Sequence, residues 1–166
     1  RLQRGQRPGF DYSASYVAHG RYQDCPFEIN GTSAPTKGWV DDVAADLAIE
    51  YMKQNKEQPF SIVLGFKSPH GPRGGNHLPE RLRSLHDGQT TRLTPNCGVS
   101  SPWQKPDAKT GELPRGLTEN AVHLDYLRHI SGVDENIIKL LRALDTLGLA
   151  EDTVVVYASD NGYFLG

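Results

Sequence analysis

Residues 133–162 read VDENIIKLLRALDTLGLAEDTVVVYASDNG, and the fold turns on how this stretch is parsed. Counting back from it, Tyr126, Ile130, Val133, Ile137, Leu140, Leu141, Leu144 and Leu147 recur at steps of three and four, the spacing of one helix face. Thr118 is placed to serve as the N-cap with Glu119 in the first turn, and Gly148 supplies the C-cap. The run TVVVYAS (153–159) then suits a fully buried strand, and it delivers Asp160, Asn161 and Gly162 to its tip.

The same order appears upstream. Val40, Val43, Ala44, Leu47, Ala48 and Tyr51 step at helical spacing after Gly38, with Asp41 and Asp42 in the first turn, where they favour the helix dipole. Pro59 limits that helix, and PFSIVLGF (59–66) follows as a second compact apolar run. Helix, strand, long loop, helix, strand predicts a three-layer α/β domain with a mainly parallel sheet, flanking helices and a right-handed crossover. Residues 1–37 show no sustained period and read as irregular, and Asn30-Gly31-Thr32 within them is a glycosylation sequon in a secreted context. The Gly- and Pro-rich stretch between His70 and Thr118 reads as one long loop whose usual job is to line a cleft.

Composition narrows the partners. The 166 residues carry 18 basic and 20 acidic side chains, a net charge of −2, which calls for neither a nucleic acid nor a charged membrane surface. No apolar run reaches the length of a membrane span. Cys25 and Cys97 are too few for a disulfide framework, and the sequence leaves open whether they pair with each other or stay as free thiols.

Parallel strands would bring two polar clusters to one sheet edge: KSPHGPR (67–73) after the first run and SDNG (159–162) after the second. Asp160 and Asn161 offer hard oxygen ligands suited to Ca²⁺ or Mg²⁺, although Asp-Asn-Gly is also a common chain reversal. His70 reads either as a proton donor to a leaving group or as a surface histidine in a proline-rich turn. Lys67 reads as an anion contact or a solvated cation. Asp134 and Glu135 are adjacent on a helix, do not face each other, and are read as structural.

Taken in order, GFDYSASYVAHGRYQD (9–24), GWVDDVAADLAIEYM (38–52), PFSIVLGFKSPHGPR (59–73) and LRHISGVDENIIKLLRALDTLGLAEDTVVVYASDNGYFLG (127–166) resemble the middle of a sulfatase. The resemblance covers nearly the whole chain and is weakest between Gly74 and Arg115. It implies a partial alkaline-phosphatase-like fold in which 1–166 is the central part of one catalytic domain, with the N- and C-terminal parts absent. It also implies hydrolysis of a sulfate ester, Asp160 and Asn161 as ligands of Ca²⁺ or Mg²⁺, His70 on the ester as proton donor, and Lys67 beside it. The family's nucleophile is a formylglycine made in a C/S-x-P-x-R motif. Cys25 reads CPFEI and Cys97 reads CGVSS, so that nucleophile is expected outside the chain, and the 166 residues alone are expected to be inactive. The implied partner is a sulfated small molecule or glycan, and the implied location is exported: periplasmic, extracellular or lysosomal. The rival readings are a phosphoester or phosphonate hydrolase of the same superfamily and a non-catalytic module that holds a sulfated glycan.

Overall fold

Both helices read from the sequence are present in the computed structural model, which describes residues 7–90, 109–110 and 120–162. Helix α1 spans Val40–Asn55 and begins where Trp39 is still extended (φ −75°, ψ 133°). Helix α3 spans Asn120–Leu147; the expected cap at Thr118 and Glu119 lies outside the described residues. The C-terminal cap is as expected. Gly148 has φ 70°, its N–H donates to Asp145 O at 3.1 Å and the Leu149 N–H to Leu144 O at 2.9 Å, the paired bonds of a Schellman motif.

The faces the two helices use match the expected stripes in part, with Val43, Ala44 and Leu47 packed against the core cluster and further buried positions beside them. On α1 the buried set is Val40, Asp41, Ala45, Ala48, Ile49 and Met52, while Val43, Ala44 and Leu47 are only partly buried. On α3, His129 and Gly132 face Trp39 and Asn136 reaches Asp42 on α1, and much of the apolar stripe faces a cleft instead. Ion pairs and amides weld the helix surfaces together. Arg81 grips Asp42 with both terminal nitrogens (2.8 and 2.9 Å) and Glu135 through Nε (2.8 Å), Asn136 Nδ2 donates to Asp42, and Lys139 pairs with Asp46. Glu135 is thus structural, as its position on the helix implied.

Arg81 belongs to an element the sequence reading left inside the long loop. A 3₁₀ turn at Gly75–His77 leads into a short helix α2, Glu80–Arg83. Leu78 and Leu82, each 1% exposed, pin this segment into the core beside Trp39. Residues 74–90 therefore cover the core and do not line the cleft; the stretch 91–108, with Cys97, lies outside the described residues.

The sheet also departs from expectation. Among the described residues the one sheet is antiparallel and three-stranded: β1 (Ala14–Ser15), β2 (Phe27–Ile29) and β3 (Thr32–Ala34) in that order. Phe27 pairs with Ala34 and Ile29 with Thr32 across a two-residue turn at Asn30 and Gly31, whose φ values are 48° and 86°. Two central residues with positive φ give the turn whose twist matches a hairpin, and Asn-Gly is its strongest short signal. Among the described residues the apolar runs 59–66 and 153–159 enter no ladder and no two strands pair in parallel. Val63, Val154 and Val156 are 84%, 90% and 81% exposed. Buried strands of this composition need neighbours that take up their N–H and C=O groups, and none of the described residues does so.

Candidate functional site

The turn that carries His70 is held from below by buried groups. Asp41, 1% exposed at the start of α1, accepts the backbone N–H of Lys67 at 2.6 Å and of Ser68 at 3.1 Å, one on each carboxylate oxygen. Burial pushes its carboxyl above the ordinary value, against the pull of those donors. The His70 N–H closes the turn onto Lys67 O at 2.9 Å, and the Tyr22 hydroxyl donates to His70 O at 2.5 Å. Arg73 Nε reaches back to Pro69 O at 2.7 Å.

His70 itself is exposed at the top of this turn. Its Nδ1 lies 2.6 Å from Gly71 O, and because a carbonyl can only accept, Nδ1 carries the proton and Nε2 is the free tip. Lys67 is placed differently from a solvated cation. It is 7% exposed, its Nζ donates to His19 O at 2.7 Å, and the ammonium sits 4.9 Å from the centre of the Tyr22 ring.

Asp160 and Asn161 form another part of the wall around the same cleft. Both are exposed. Ser159 Oγ donates to Asn161 O at 2.6 Å and Asn161 Nδ2 to Gly162 O at 3.3 Å, so the amide turns its nitrogen inward and leaves Oδ1 uncommitted. The Asp160 carboxylate has no hydrogen-bond or ion-pair partner among the described residues. One cleft of about 1560 Å³ is lined by Lys67 and His70, by Asp160 and Asn161, by the apolar stripe of α3 and by the unpaired runs 59–66 and 153–159. The two clusters named from the sequence thus share a cleft, although the parallel strands meant to bring them together are not formed.

As a cation site this wall is partial. Two uncommitted hard oxygens suit Ca²⁺ or Mg²⁺, but Ca²⁺ takes about six to eight ligands. No group of three or more His, Cys, Asp or Glu side chains clusters for a metal among the described residues. Asp160 and Asn161 therefore fit such an ion as part of its shell.

Beneath the turn lies a residue the sequence offered no reason to choose. His129, 0% exposed on α3, places Nδ1 2.9 Å from Ser68 Oγ and its ring 4.6 Å from that of Tyr22; its Nε2 has no hydrogen-bond partner among the described residues. Burial pushes its pKa down from 6.5 to about 4, with Arg73 adding to the effect. A histidine held neutral in the fold stabilises it fully above about pH 6.5, and that contribution is lost as pH falls toward 4. At about 1.4 kcal/mol per unit the loss is about 3 kcal/mol. Thermal melts from pH 7.5 to 4 are expected to show a steeper fall for the native protein than for His129→Gln; parallel curves would refute this. Cys25 is buried with a free thiol whose Sγ accepts the Arg21 N–H at 3.4 Å, far from the role of a reactive nucleophile.

The fold is the alkaline-phosphatase-like one. A solved protein bound to its substrate D-glucosamine-2-N,6-O-disulfate superposes with TM-score 0.78 at 19% identity, over 97% of this chain and 46% of that one. The Sulfatase family profile matches residues 4–166, and the chain belongs to the sulfatase family. An ulvan-active sulfatase of Formosa agariphila is 30% identical over 97% of this chain, which spans 29% of that relative. An N-acetylglucosamine-6-O-sulfatase of Bacteroides thetaiotaomicron is 50% identical over 95% of it, which spans 40% of that one. Relatives also include an extracellular sulfatase homologue of Drosophila melanogaster, 23% identical. No helix among the described residues is long and apolar enough to cross a membrane.

Proposed function

We propose that the full-length protein is an exported sulfuric ester hydrolase acting on a sulfated glycan, and that this chain supplies its proton donor and part of its cation site. The observation that carries the reading is one cleft whose lining includes His70, with Nδ1 committed to Gly71 O, together with Asp160 and Asn161, whose side-chain oxygens are uncommitted. With Nδ1–H kept on Gly71 O, the doubly protonated ring of His70 carries a second proton on Nε2; that proton passes to the departing alcohol oxygen and leaves the neutral Nδ1–H form. Lys67, its ammonium committed to His19 O, adds positive charge at the base of the turn toward the sulfate rather than gripping it. A divalent cation, when bound through Asp160 and Asn161, offsets charge on the sulfate oxygens. The nucleophile, a formylglycine by family, lies outside the 166 residues, since the buried Cys25 has neither its motif nor its exposure. The glycan is favoured by the names of the ulvan-active and N-acetylglucosamine relatives.

The test is turnover by the full-length protein of a 6-sulfated N-acetylglucosamine against the matching phosphate ester. Sulfate release with little phosphate release is expected; the reverse preference would move the protein to the phosphoester branch, and binding without turnover would make it a glycan-holding module. Calcium titration is an independent check. Asp160→Ala is expected to weaken binding by about 10–100-fold, the range reached by removing even outer partners of a metal site. Unchanged affinity would take Asp160 out of the shell.

A further inference from the structure

We infer that Tyr22 and Asp41 are positioning residues for His70, fixing through the backbone of one turn the direction in which Nε2 points. This rests on the reading of His70 as the proton donor. Every other polar atom of His70 is already occupied: the N–H by Lys67 O, the carbonyl by the Tyr22 hydroxyl, and Nδ1 by the Gly71 carbonyl. The Tyr22 contact is long-range, with the short bond to His70 O at 2.5 Å and a longer one to Lys67 O at 3.5 Å in the same turn. Its ring is 2% exposed in the core, yet its hydroxyl passes out of that core to meet the one carbonyl that belongs to the donor residue. Asp41 acts one step earlier in the turn. Its two oxygens receive the N–H groups of Lys67 and Ser68, which fixes the segment from which His70 is launched. Ser68 is tied a second time, to His129 on α3, so the turn is referenced to both long helices at once.

Neither side chain lines the cleft, so neither touches substrate. Their effect is geometric: with the carbonyl of His70 released, the ring is no longer held against Gly71 O, and Nε2 loses both its tautomer and its aim. Misplacing a reacting group by about 1 Å costs about a hundredfold in rate, so a loosened turn shows in turnover before it shows in binding.

Tyr22→Phe removes the hydroxyl and keeps the ring; Asp41→Asn keeps the size and replaces one acceptor by a donor. In the full-length protein each is expected to lower kcat by about tenfold to a hundredfold with KM little changed. Long-range ¹H–¹⁵N spectra of ¹⁵N-histidine-labelled protein are expected to show His70 in the Nδ1–H form in the native enzyme and in a mixture of tautomers in both variants. Leu82→Val, which thins the same core without a hydrogen bond to the turn, controls for general destabilisation and is expected to leave the His70 signals and kcat near native values. Native-like kcat and tautomer in Tyr22→Phe and Asp41→Asn would overturn the inference, as would an equal loss in Leu82→Val. If the native protein turns over no sulfate ester, the catalytic reading falls, while the tautomer spectra still decide whether these two residues hold His70.

Discussion

Trp39→Ala is expected to cost about 3–5 kcal/mol, the range for removing a large aromatic from a packed core. Against the roughly 5–15 kcal/mol that holds an ordinary domain together, this is enough to unfold much of the population. The indole is 2% exposed, stacks near Tyr22 (centroids 6.4 Å apart, planes 16° apart), lies 6.0 Å from His129, and has the Arg81 guanidinium 5.8 Å from its ring. Its Nε1 donates to His77 O at 3.1 Å, so truncation also strands a carbonyl. On α3 the ring fits against Gly132, where an added Cβ would lie 2.5 Å from Cη2 of the indole and 2.6 Å from Leu82 Cδ1. Gly132→Ala accordingly sets a helix-propensity gain of about 1 kcal/mol against about 1–3 kcal/mol of overpacking. With two buried neighbours to displace, the overpacking wins and the variant is less stable. Urea melts check both; a loss below about 1 kcal/mol for Trp39→Ala would show that the core does not centre on this residue.

His70→Ala in the full-length protein is expected to lower kcat by about 10²–10⁴-fold on an alkyl or sugar sulfate, the usual worth of a positioned general acid. The distinguishing sign is the dependence on leaving group. An alkoxide is a poor leaving group and needs the proton, whereas a nitrophenolate departs without one. The loss is therefore expected to shrink markedly on a nitrophenyl sulfate, with KM changing less than kcat on either substrate. An equal loss on both esters would assign His70 to sulfate binding instead of proton transfer. A negligible loss on both would remove it from the reaction.

The helices were legible because their information is local. A stripe at steps of three and four, Pro59 as a stop and Gly148 as a cap each act within a turn or two of the residue that carries them. Which face packs is not local. α3 turns Gly132 and His129 toward Trp39 and Asn136 toward Asp42; the indole leaves room there only for a glycine, and the carboxylate takes the amide, and neither requirement is visible in the periodicity of α3. The hairpin was present in the sequence as Asn30-Gly31, and reading that triplet only as a sequon hid it. The runs 59–66 and 153–159 have the composition of buried strands, but a strand is a relation between two segments, and composition names only one of them. For the candidate site, the short motifs around His70, Asp160 and Asn161 read equally as turns, and these residues were named through the resemblance of the longer segments that contain them. Asp41 looked like an ordinary acidic first-turn residue, since nothing in a sequence says that two amides from residues 67 and 68 will arrive at its carboxylate.

The cleft resembles a vice with one jaw bolted down. The jaw bearing His70 is fastened to α1, α3 and the Tyr22 side chain, whereas the SDNG jaw is tied, among the described residues, only to itself. On the proposed roles, the gap between His70 and the Asp160–Asn161 pair is set by whatever segment covers the exposed Val154–Tyr157 run, not by either jaw. Substitutions in that segment would reset which ester fits while leaving both sets of chemical groups untouched.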